Sequence, residues 1–552
     1  MAGERSTLVE YKDFSGGDWG NREAWNAPDG TFSATNMLVY RTGELGVRPG
    51  VRAVTPTGAP AGLVMGINEA PDSDGIIYVQ GTKTYWFDPS RPSLGLATSA
   101  ASFNMDLTST TPAPTFARVG DVVFIISQDG VAQATGAVTL ARLSNAPAGS
   151  HGALFGEVFV VVYADLTVSN VEFSDSTAAL NTWPGAVNTF DVGNGLIPVA
   201  CYAQRSALQI MTNGGIYVVT GTLNADTAAF AVRKLSVRKG PQSAWAAAQS
   251  VDDTIWYVED GGVYPASFDG ANFRTWTSIQ FPLLTSESPG VGVATFEYPY
   301  VNDSVFLSPY AAGGGLEFLS TAWVHLRGVW TKHQFPATID IGSDGGIAHG
   351  RLATYPVSFL ADPGSTLDDG TNLRPTTTFV MTDDGDSSPA TAPVFWAWSP
   401  DLDRPGSETD LIATWGPSNV RLAPERAGDA SAVQVEGSVS FPEWHAKDGS
   451  EALVRTVTID FRKWNTGGSA TNHFDVRVEA LRRYNGESPN TSRTLAFDEA
   501  GALAATGGTL DRRTFSFGDQ GQGNGFQLHL ESVRGIAIQR IQVVVELRPA
   551  RQ

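Results

Sequence analysis

Short runs of β-branched and aromatic residues, each ended by Gly, Asp, Asn or Pro, recur along most of this chain. Such runs of four to eight residues predict β-strands, and examples are GIIYVQG, DVVFIIS, EVFVVVY, LQIMTNGGIYVVTG and TFVMTDDG. Helical periodicity is nearly absent, since the best candidate, residues 243–250 (SAWAAAQS), is Ala-rich but only two turns long. The pattern therefore predicts an all-β protein.

Between residues 56 and 385 the strands recur as a loose unit. A strand pair closes on an Asp-Gly or Gly-Gly turn and an apolar or aromatic residue follows, as in residues 128–131, 213–217 and 259–264. The spacing of roughly 40–60 residues is the size of one four-stranded propeller blade. Residues 56–385 are therefore predicted to form a β-propeller-like domain of about five to seven blades.

The two ends of the chain read differently from the middle. Residues 1–55 are predicted to form an extended arm that ends in a hairpin over residues 36–50, where Pro49-Gly50 stops the second strand. A polar, Pro-containing stretch at 381–393 marks the next boundary. Beyond it, inward and outward residues alternate in 454–461 and 474–480, which predicts a C-terminal β-sandwich of jelly-roll type over residues 386–552.

The charge narrows the functional classes. With 57 acidic and 37 basic side chains the chain carries −20, whereas a surface that holds nucleic acid is basic. A protein that DNA only passes through is compatible with this charge, because an acidic wall repels phosphate. No apolar run approaches the roughly 20 residues that span a bilayer, and the N-terminus lacks an apolar signal core, so we expect folding in the cytoplasm of the cell that makes the protein.

Residues that could carry chemistry are isolated from one another. Cys201 is the single cysteine, and the seven histidines are scattered without HExxH, HxH or a Cys/His cluster. GxSxG, Walker A and calcium-loop motifs are absent as well. We therefore expect that the protein is not an enzyme and that it has no catalytic residue, no cofactor and no metal site. One alternative stays open, a glycan-binding or glycan-cleaving propeller whose carboxylates converge only in space.

Several segments, taken in order, resemble a known family. The arm runs from Phe14-Ser-Gly-Gly through Asn36 to Arg48-Pro49-Gly50, and it is similar to the N-terminal signature of phage tail nozzle proteins, the tubular tail proteins of short-tailed phages. Further segments resemble the blades and closing strands of that class: residues 172–193, 208–221, 240–264, 525–530 and 538–546. The resemblance covers most of the chain and supplies no catalytic residue.

The resemblance implies a structural virion protein of a phage tail, made in the host cytoplasm. Copies of this chain would form a ring, hexameric by the resemblance, around the channel through which the genome leaves. Partners would be the adaptor or portal-side proteins of the tail, with tail fibres as a further candidate, and double-stranded DNA would pass without tight binding. A minor tail protein of a long-tailed phage is the related alternative. If the negative net charge serves the passage of DNA, Asp and Glu side chains should concentrate on the surface of the ring that faces the channel. The alternative explanation is that the charge keeps the subunit soluble.

The arm is the predicted assembly element. Its aromatic residues Phe14, Trp19, Trp25 and Phe32 interrupt a polar, turn-rich stretch and are candidates for anchors in grooves of a neighbouring subunit. Packing within the chain is the competing interpretation. On the assembly interpretation, deletion of residues 1–35 should leave a folded monomer that no longer assembles.

Overall fold

The structure of the chain is a computed structural model. It describes, with internal gaps, residues 5–18, 31–98, 114–163, 170–266, 290–334, 355–359, 376–398, 422–447 and 450–549. Within these ranges the regular structure is β-strand, and the predicted all-β class is confirmed.

The described residues of the arm form six short strands. They are β1 (Arg5–Tyr11), β2 (Gly17–Asp18), β3 (Thr31–Thr35), β4 (Met37–Val39), β5 (Leu45–Val47) and β6 (Arg52–Ala53).

In the part of the chain that the structure describes, seven antiparallel groups of strands follow, each formed by strands that are consecutive in the sequence. The first four blades have four strands each: β7 (Val64–Glu69), β8 (Ile76–Gln80), β9 (Lys83–Phe87) and β10 (Ala97–Thr98); β11 (Thr115–Val119), β12 (Val122–Ser127), β13 (Gly130–Thr135) and β14 (Thr139–Arg142); β15 (His151–Phe155), β16 (Val158–Val162), β17 (Val171–Phe173) and β18 (Thr189–Phe190); β19 (Pro198–Gln204), β20 (Ala207–Thr212), β21 (Gly215–Gly221) and β22 (Phe230–Ser236).

The fifth to seventh blades complete the series. They are β23 (Ala247–Gln249), β24 (Ile255–Glu259) and β25 (Gly262–Ala266); β26 (Gly290–Tyr298), β27 (Val301–Tyr310), β28 (Thr321–Leu326) and β29 (Val329–Gln334); β30 (Tyr355–Phe359), β31 (Thr376–Asp383) and β32 (Val394–Trp398).

These sheets form a closed β-propeller. The first strands of neighbouring blades contact one another (β11 with β15, β15 with β19, β23 with β26, β26 with β30), so they are the inner strands. The ring closes because β30 of the last blade contacts β7 of the first, and Phe395 packs on Tyr78 and Phe87 at ring-centroid distances of 4.9 Å. Arm strand β6 pairs with β32 as the outermost strand of the last blade. A strand from the start of the chain therefore completes the last blade, and the outer edge of β32 is paired rather than open.

The predicted turn chemistry accounts for the blade hairpins. Ser127 and Thr212 end β12 and β20, and each hydroxyl donates to the carbonyl three residues on, at 3.2 and 2.7 Å. Each hydroxyl also accepts the N–H two residues on. The backbone carbonyls of Ser127 and Thr212 accept N–H bonds from Gly149 and Gly240, which lead into the next blades. The Asp-Gly and Gly-Gly turns thus also join consecutive blades.

The C-terminal part is a β-sandwich that follows a two-stranded ribbon. The ribbon is β33 (Leu422–Pro424) and β34 (Ala432–Gln434). The sandwich strands are β35 (Gly437–Ser440), β36 (Trp444–His445), β37 (Glu451–Lys463), β38 (Thr471–Leu481), β39 (Thr491–Ala500), β40 (Thr509–Ser516), β41 (Gln522–Gly523), β42 (Gly525–Arg534) and β43 (Ile536–Arg548).

Two sheets enclose the sandwich core. The first sandwich sheet contains β37, β40, β41 and β43 together with arm strands β1, β4 and β5. The second sandwich sheet contains β35, β36, β38, β39 and β42. Their inward residues alternate along the strands, as the sequence predicted, and Val457, Ile459, Val476, Val478 and Val543 are fully or almost fully buried.

Both predicted domain boundaries need correction. Residues 1–55 are not a separate arm, because their strands belong to the first sandwich sheet, to the joint with the propeller and to the last blade. The sandwich does not begin at 386, because β32 (Val394–Trp398) pairs with β31 and β6 in the propeller. The polar stretch at 381–393 begins within β31, so its composition does not mark the end of the propeller.

Candidate functional site

The structure resolves the competing interpretations for two of the four arm aromatics. Phe14 and Phe32 are buried in the sandwich core, where their rings meet edge to face at 6.3 Å. Phe14 also lies 6.3 Å from the ring of Phe441. These two residues are therefore not anchors for a neighbouring subunit in this structure. Trp19 and Trp25 lie outside the described residues.

Arm strand β3 joins the propeller to the sandwich. It runs parallel to β29 of the sixth blade and antiparallel to β35 of the second sandwich sheet. One continuous sheet thus passes from the sixth blade through the arm into the sandwich. The joint depends on backbone hydrogen bonds in a sheet, and these resist bending better than a flexible linker does.

Asn36 holds this joint together. It has a left-handed backbone (φ 58°), which Asn tolerates better than most residues. Its N–H donates to the Lys332 carbonyl at 2.9 Å, its Nδ2 donates to the Glu436 carbonyl at 2.9 Å, and its side-chain oxygen accepts from Arg48 Nε at 2.9 Å. One residue of the arm thereby contacts the sixth blade, the segment leading into the sandwich and the end of the arm hairpin.

Two basic side chains are buried at the same joint. Burial lowers the pKa of Arg48 to about 9. His333 on β29 is fully buried, its Nε2 lies 2.9 Å from Thr331 Oγ1, and burial together with the charge of Arg48 holds its pKa well below the usual value. Asn36 and Arg48 both lie in the arm motif, but their contacts at this joint depend on the tertiary structure.

The outer face of the first sandwich sheet carries a row of alternating charges. Asp460 on β37 accepts from Arg512 Nη2 on β40 at 3.0 Å and from Arg540 Nε on β43 at 2.9 Å. Arg540 Nη1 lies 3.6 Å from Glu10 Oε1 on β1. We call Arg512, Asp460, Arg540 and Glu10 the charge row. The Arg512 hydrogen bond is the main reason that the pKa of Asp460 is lowered.

A second arm carboxylate lies beside this row. Glu44 is buried and accepts hydrogen bonds from Arg462 Nε and Nη2 at 3.2 and 3.1 Å. On this face the sandwich strands carry more arginines than carboxylates, and Glu10 and Glu44 of the arm supply negative charges next to Arg540 and Arg462. The arm is electrostatically complementary to the sheet that it completes.

The charge of the chain is unevenly distributed. Residues 435–552 contain fourteen acidic and fourteen basic side chains, so the net charge of −20 arises entirely from the residues before them. Most of the sandwich arginines that the structure describes lie against carboxylates, for example Arg477 with Glu531 at 2.8 Å. The sandwich segment is therefore electrically balanced, and the excess of acidic side chains lies in the preceding part of the chain.

Large apolar side chains are exposed at both edges of the first sandwich sheet. Leu8 on β1 is 57% exposed and Leu510 on β40 is 58% exposed. In the part of the chain that the structure describes, β1 pairs only with β43 and β40 only with β37. Both strands are thus edge strands with a solvent-facing leucine.

One cluster on the second sandwich sheet has the residue types of a hydrolytic triad. Ser440 Oγ lies 2.7 Å from His529 Nδ1, and His529 Nε2 lies 3.6 Å from Glu479 Oε2. Burial lowers the pKa of His529 to about 4. Ser440 lies on β35, which is paired on both sides by β3 and β42, so its strand offers no backbone amides for an oxyanion. The cluster is best explained as buried hydrogen bonding within the sheet.

The single cysteine, like Ser440, lies beside a buried histidine. Cys201 Sγ lies 3.8 Å from His151 Nδ1 on the neighbouring blade, with both residues buried. Burial raises the pKa of the thiol and lowers the pKa of His151 to about 4, so this pair does not generate a thiolate near neutral pH. No group of metal-ligating side chains occurs among the described residues, and these residues include no helix long and apolar enough to cross a membrane.

Comparisons with known proteins bear on this chain only distantly. No protein-family model matches, and no curated protein matches. Among solved structures, the extracellular domain of BT4673 from B. thetaiotaomicron is 9% identical with a TM-score of 0.38; the alignment covers 92% of this chain, which spans only 64% of that one. The WD40 domain of SCAP from fission yeast is 9% identical with a TM-score of 0.30, covering 91% of this chain and 94% of that one.

An exo-β-1,3-galactanase from Phanerochaete chrysosporium is also similar, at 9% identity and a TM-score of 0.25, over 81% of this chain and 97% of that one. At such identities and TM-scores these likenesses say nothing about activity.

Proposed function

We propose that this chain is a structural subunit of a bacteriophage tail, a ring-forming nozzle or tube protein around the genome exit channel. The observation that carries the proposal is the role of the arm signature. The motif that resembles the nozzle class, from Phe14 through Asn36 to Arg48, builds the joint between propeller and sandwich. A joint of this kind holds the propeller and the sandwich in a fixed relative orientation, which a subunit of a closed ring needs.

The distribution of charge supports the same proposal. The acidic part of the chain carries the whole net charge of −20 and would repel DNA, while the sandwich is charge-balanced. In a tail ring the sandwich would make the protein contacts, to other copies and to adaptor or portal-side proteins. The acidic part would border the route of the DNA.

The test is the mass and shape of the assembled protein. Mass photometry and negative-stain microscopy of the purified chain, over a range of concentrations and with its neighbouring tail proteins, should show closed rings with a central opening. A chain that stays monomeric under all these conditions would contradict the proposal. A monomer that depolymerises a host polysaccharide would favour the glycan-cleaving alternative instead.

A further inference from the structure

We propose that copies of this chain associate head to tail through the first sandwich sheet, with β1 of one copy pairing with β40 of the next. This inference deepens the proposed ring function and names the surface that would form the ring. It rests on three features of the sheet: strand direction, the charge row and the two exposed leucines.

Strand direction permits continuous antiparallel pairing. From one edge to the other the order is β1, β43, β37 and β40, and each neighbouring pair is antiparallel. With four alternating strands, the two edge strands run in opposite directions. A second copy placed by rotation and translation therefore brings its β1 antiparallel to β40 of the first, and the alternation continues across the contact.

The charge row ends in opposite signs at the two edges. It begins with Arg512 on β40 and ends with Glu10 on β1. Placing Glu10 of one copy opposite Arg512 of the next continues the alternation of positive and negative charge. Opposite charges across paired strands are stabilising, whereas like charges directly opposite one another are destabilising.

This register also covers both exposed leucines. When Glu10 faces Arg512 in an antiparallel pair, Leu8 faces Thr514 and Leu510 faces Lys12, whose aliphatic stem can lie over an apolar neighbour. Proteins normally protect long edge strands with inward charges, bulges or covering segments. Both edge strands also carry charged residues, but these are of opposite sign at the two edges in the charge row. Each edge in addition presents a leucine to solvent, and this favours an edge that is covered in an assembly.

A two-fold arrangement fits the charges less well. If β40 paired with its own copy, Arg512 and Arg513 would approach the same arginines of the partner. A head-to-tail contact is heterologous, so it produces a ring when the rotation closes and a filament when it does not. Each edge of the sheet is therefore assigned to the opposite edge of a second copy, and not to the same edge of a copy related by two-fold symmetry.

Cross-linking between cysteine variants tests this pairing directly, because the single native thiol, Cys201, is buried. Leu8→Cys and Thr514→Cys are made in separate chains and oxidised mildly, alone and as an equimolar mixture. The mixture should form a disulfide-linked dimer at least tenfold more than either variant alone. Val232→Cys, at a 37% exposed apolar position on the fourth blade, serves as the matched control and should not cross-link to either variant.

Each other outcome has a defined meaning. Dimers of Leu8→Cys alone or Thr514→Cys alone would indicate two-fold pairing and overturn the proposal. Cross-linking in the mixture no stronger than with Val232→Cys would overturn it as well. A charge test adds a second readout: Glu10→Lys and Arg512→Glu should each weaken self-association about tenfold, and the double variant should recover it. No recovery, with an unchanged melting temperature, would also refute the pairing.

The pairing and the ring function are tested separately. Closed rings by microscopy without the mixed cross-link would leave the nozzle proposal standing and remove this interface. The mixed cross-link with open filaments only would support the interface and contradict the ring. Capture of a different protein's strand at either edge, with no self-association, would overturn the choice of a second copy.

Discussion

Replacing Phe32 with alanine removes a fully buried ring that the arm contributes to the sandwich core. Phe32 lies on β3, contacts Phe14 edge to face and belongs to the same cluster as the inward residues of β37, β42 and β43. Truncating a buried Phe to Ala costs about 3–5 kcal/mol, since apolar contact is lost and a cavity remains. Domains are stable by only about 5–15 kcal/mol, so we expect a large loss in sandwich stability.

Urea denaturation followed by near-ultraviolet circular dichroism measures this loss as a lower transition midpoint. Leu8→Ala is the matched control: it is also an arm residue on a strand but is mostly exposed, and it should change the free energy of unfolding by less than about 0.5 kcal/mol. A loss below about 1 kcal/mol for Phe32→Ala would refute the assignment of the arm to the core.

Deletion of residues 1–35 follows the same reasoning. It removes β1 and β3 as well as Phe14 and Phe32, so the truncated chain should lack a native sandwich rather than persist as a folded monomer. This reverses the expectation from the sequence. A truncated chain with an unchanged transition midpoint would restore the view of the arm as a removable assembly element.

Three further predictions follow from other parts of the molecule. Burial lowers the pKa values of His151 and His529 to about 4 in the folded chain, below the usual 6.5. As the pH falls from about 6.5 to 4, the unfolded chain therefore takes up these protons first, and the free energy of unfolding decreases by up to about 3 kcal/mol for each histidine. His151→Asn and His529→Asn should each reduce this pH dependence of the free energy of unfolding, measured by urea titration at several pH values. Gly149→Ala should lower the midpoint, because a Cβ there would lie 2.3 Å from Val161 Cγ1, whereas Gly136→Ala has open space and should be neutral in the same denaturation assay. The purified chain should bind duplex DNA weakly even at low salt, and tight binding in a fluorescence anisotropy assay would remove the transit argument.

The repeated local patterns were sufficient to predict the elements of the fold. Alternation in 454–461 and 474–480 predicted strands with one buried face, and β37 and β38 bury those residues. The Asp-Gly and Gly-Gly turns predicted the hairpins of the second, fourth and fifth blades, and those pairs close there. Such features depend on residues a few positions apart, so the sequence displays them directly.

The placement of segments depended on distant partners. Residues 243–250 were the best helical candidate, although only two turns long, and Ala247–Gln249 instead form strand β23, which pairs with the next strand, β24. The arm looked separate because it is polar and irregular, yet β1 pairs with β43 at the other end of the chain. Intrinsic propensity is a weak preference that tertiary pairing overrides.

The candidate assembly surface likewise combines features that are local in the sequence with features that depend on the fold. The sequence by itself determined which residues can form strands, where the chain turns, and that the chain is acidic overall. Only the tertiary structure brought Glu10, Asp460, Arg512 and Arg540 into one row and gave Asn36 and Arg48 their place at the joint. Local periodicity determines which face of a strand is buried, whereas the neighbour of that strand depends on complementarity between residues hundreds of positions apart.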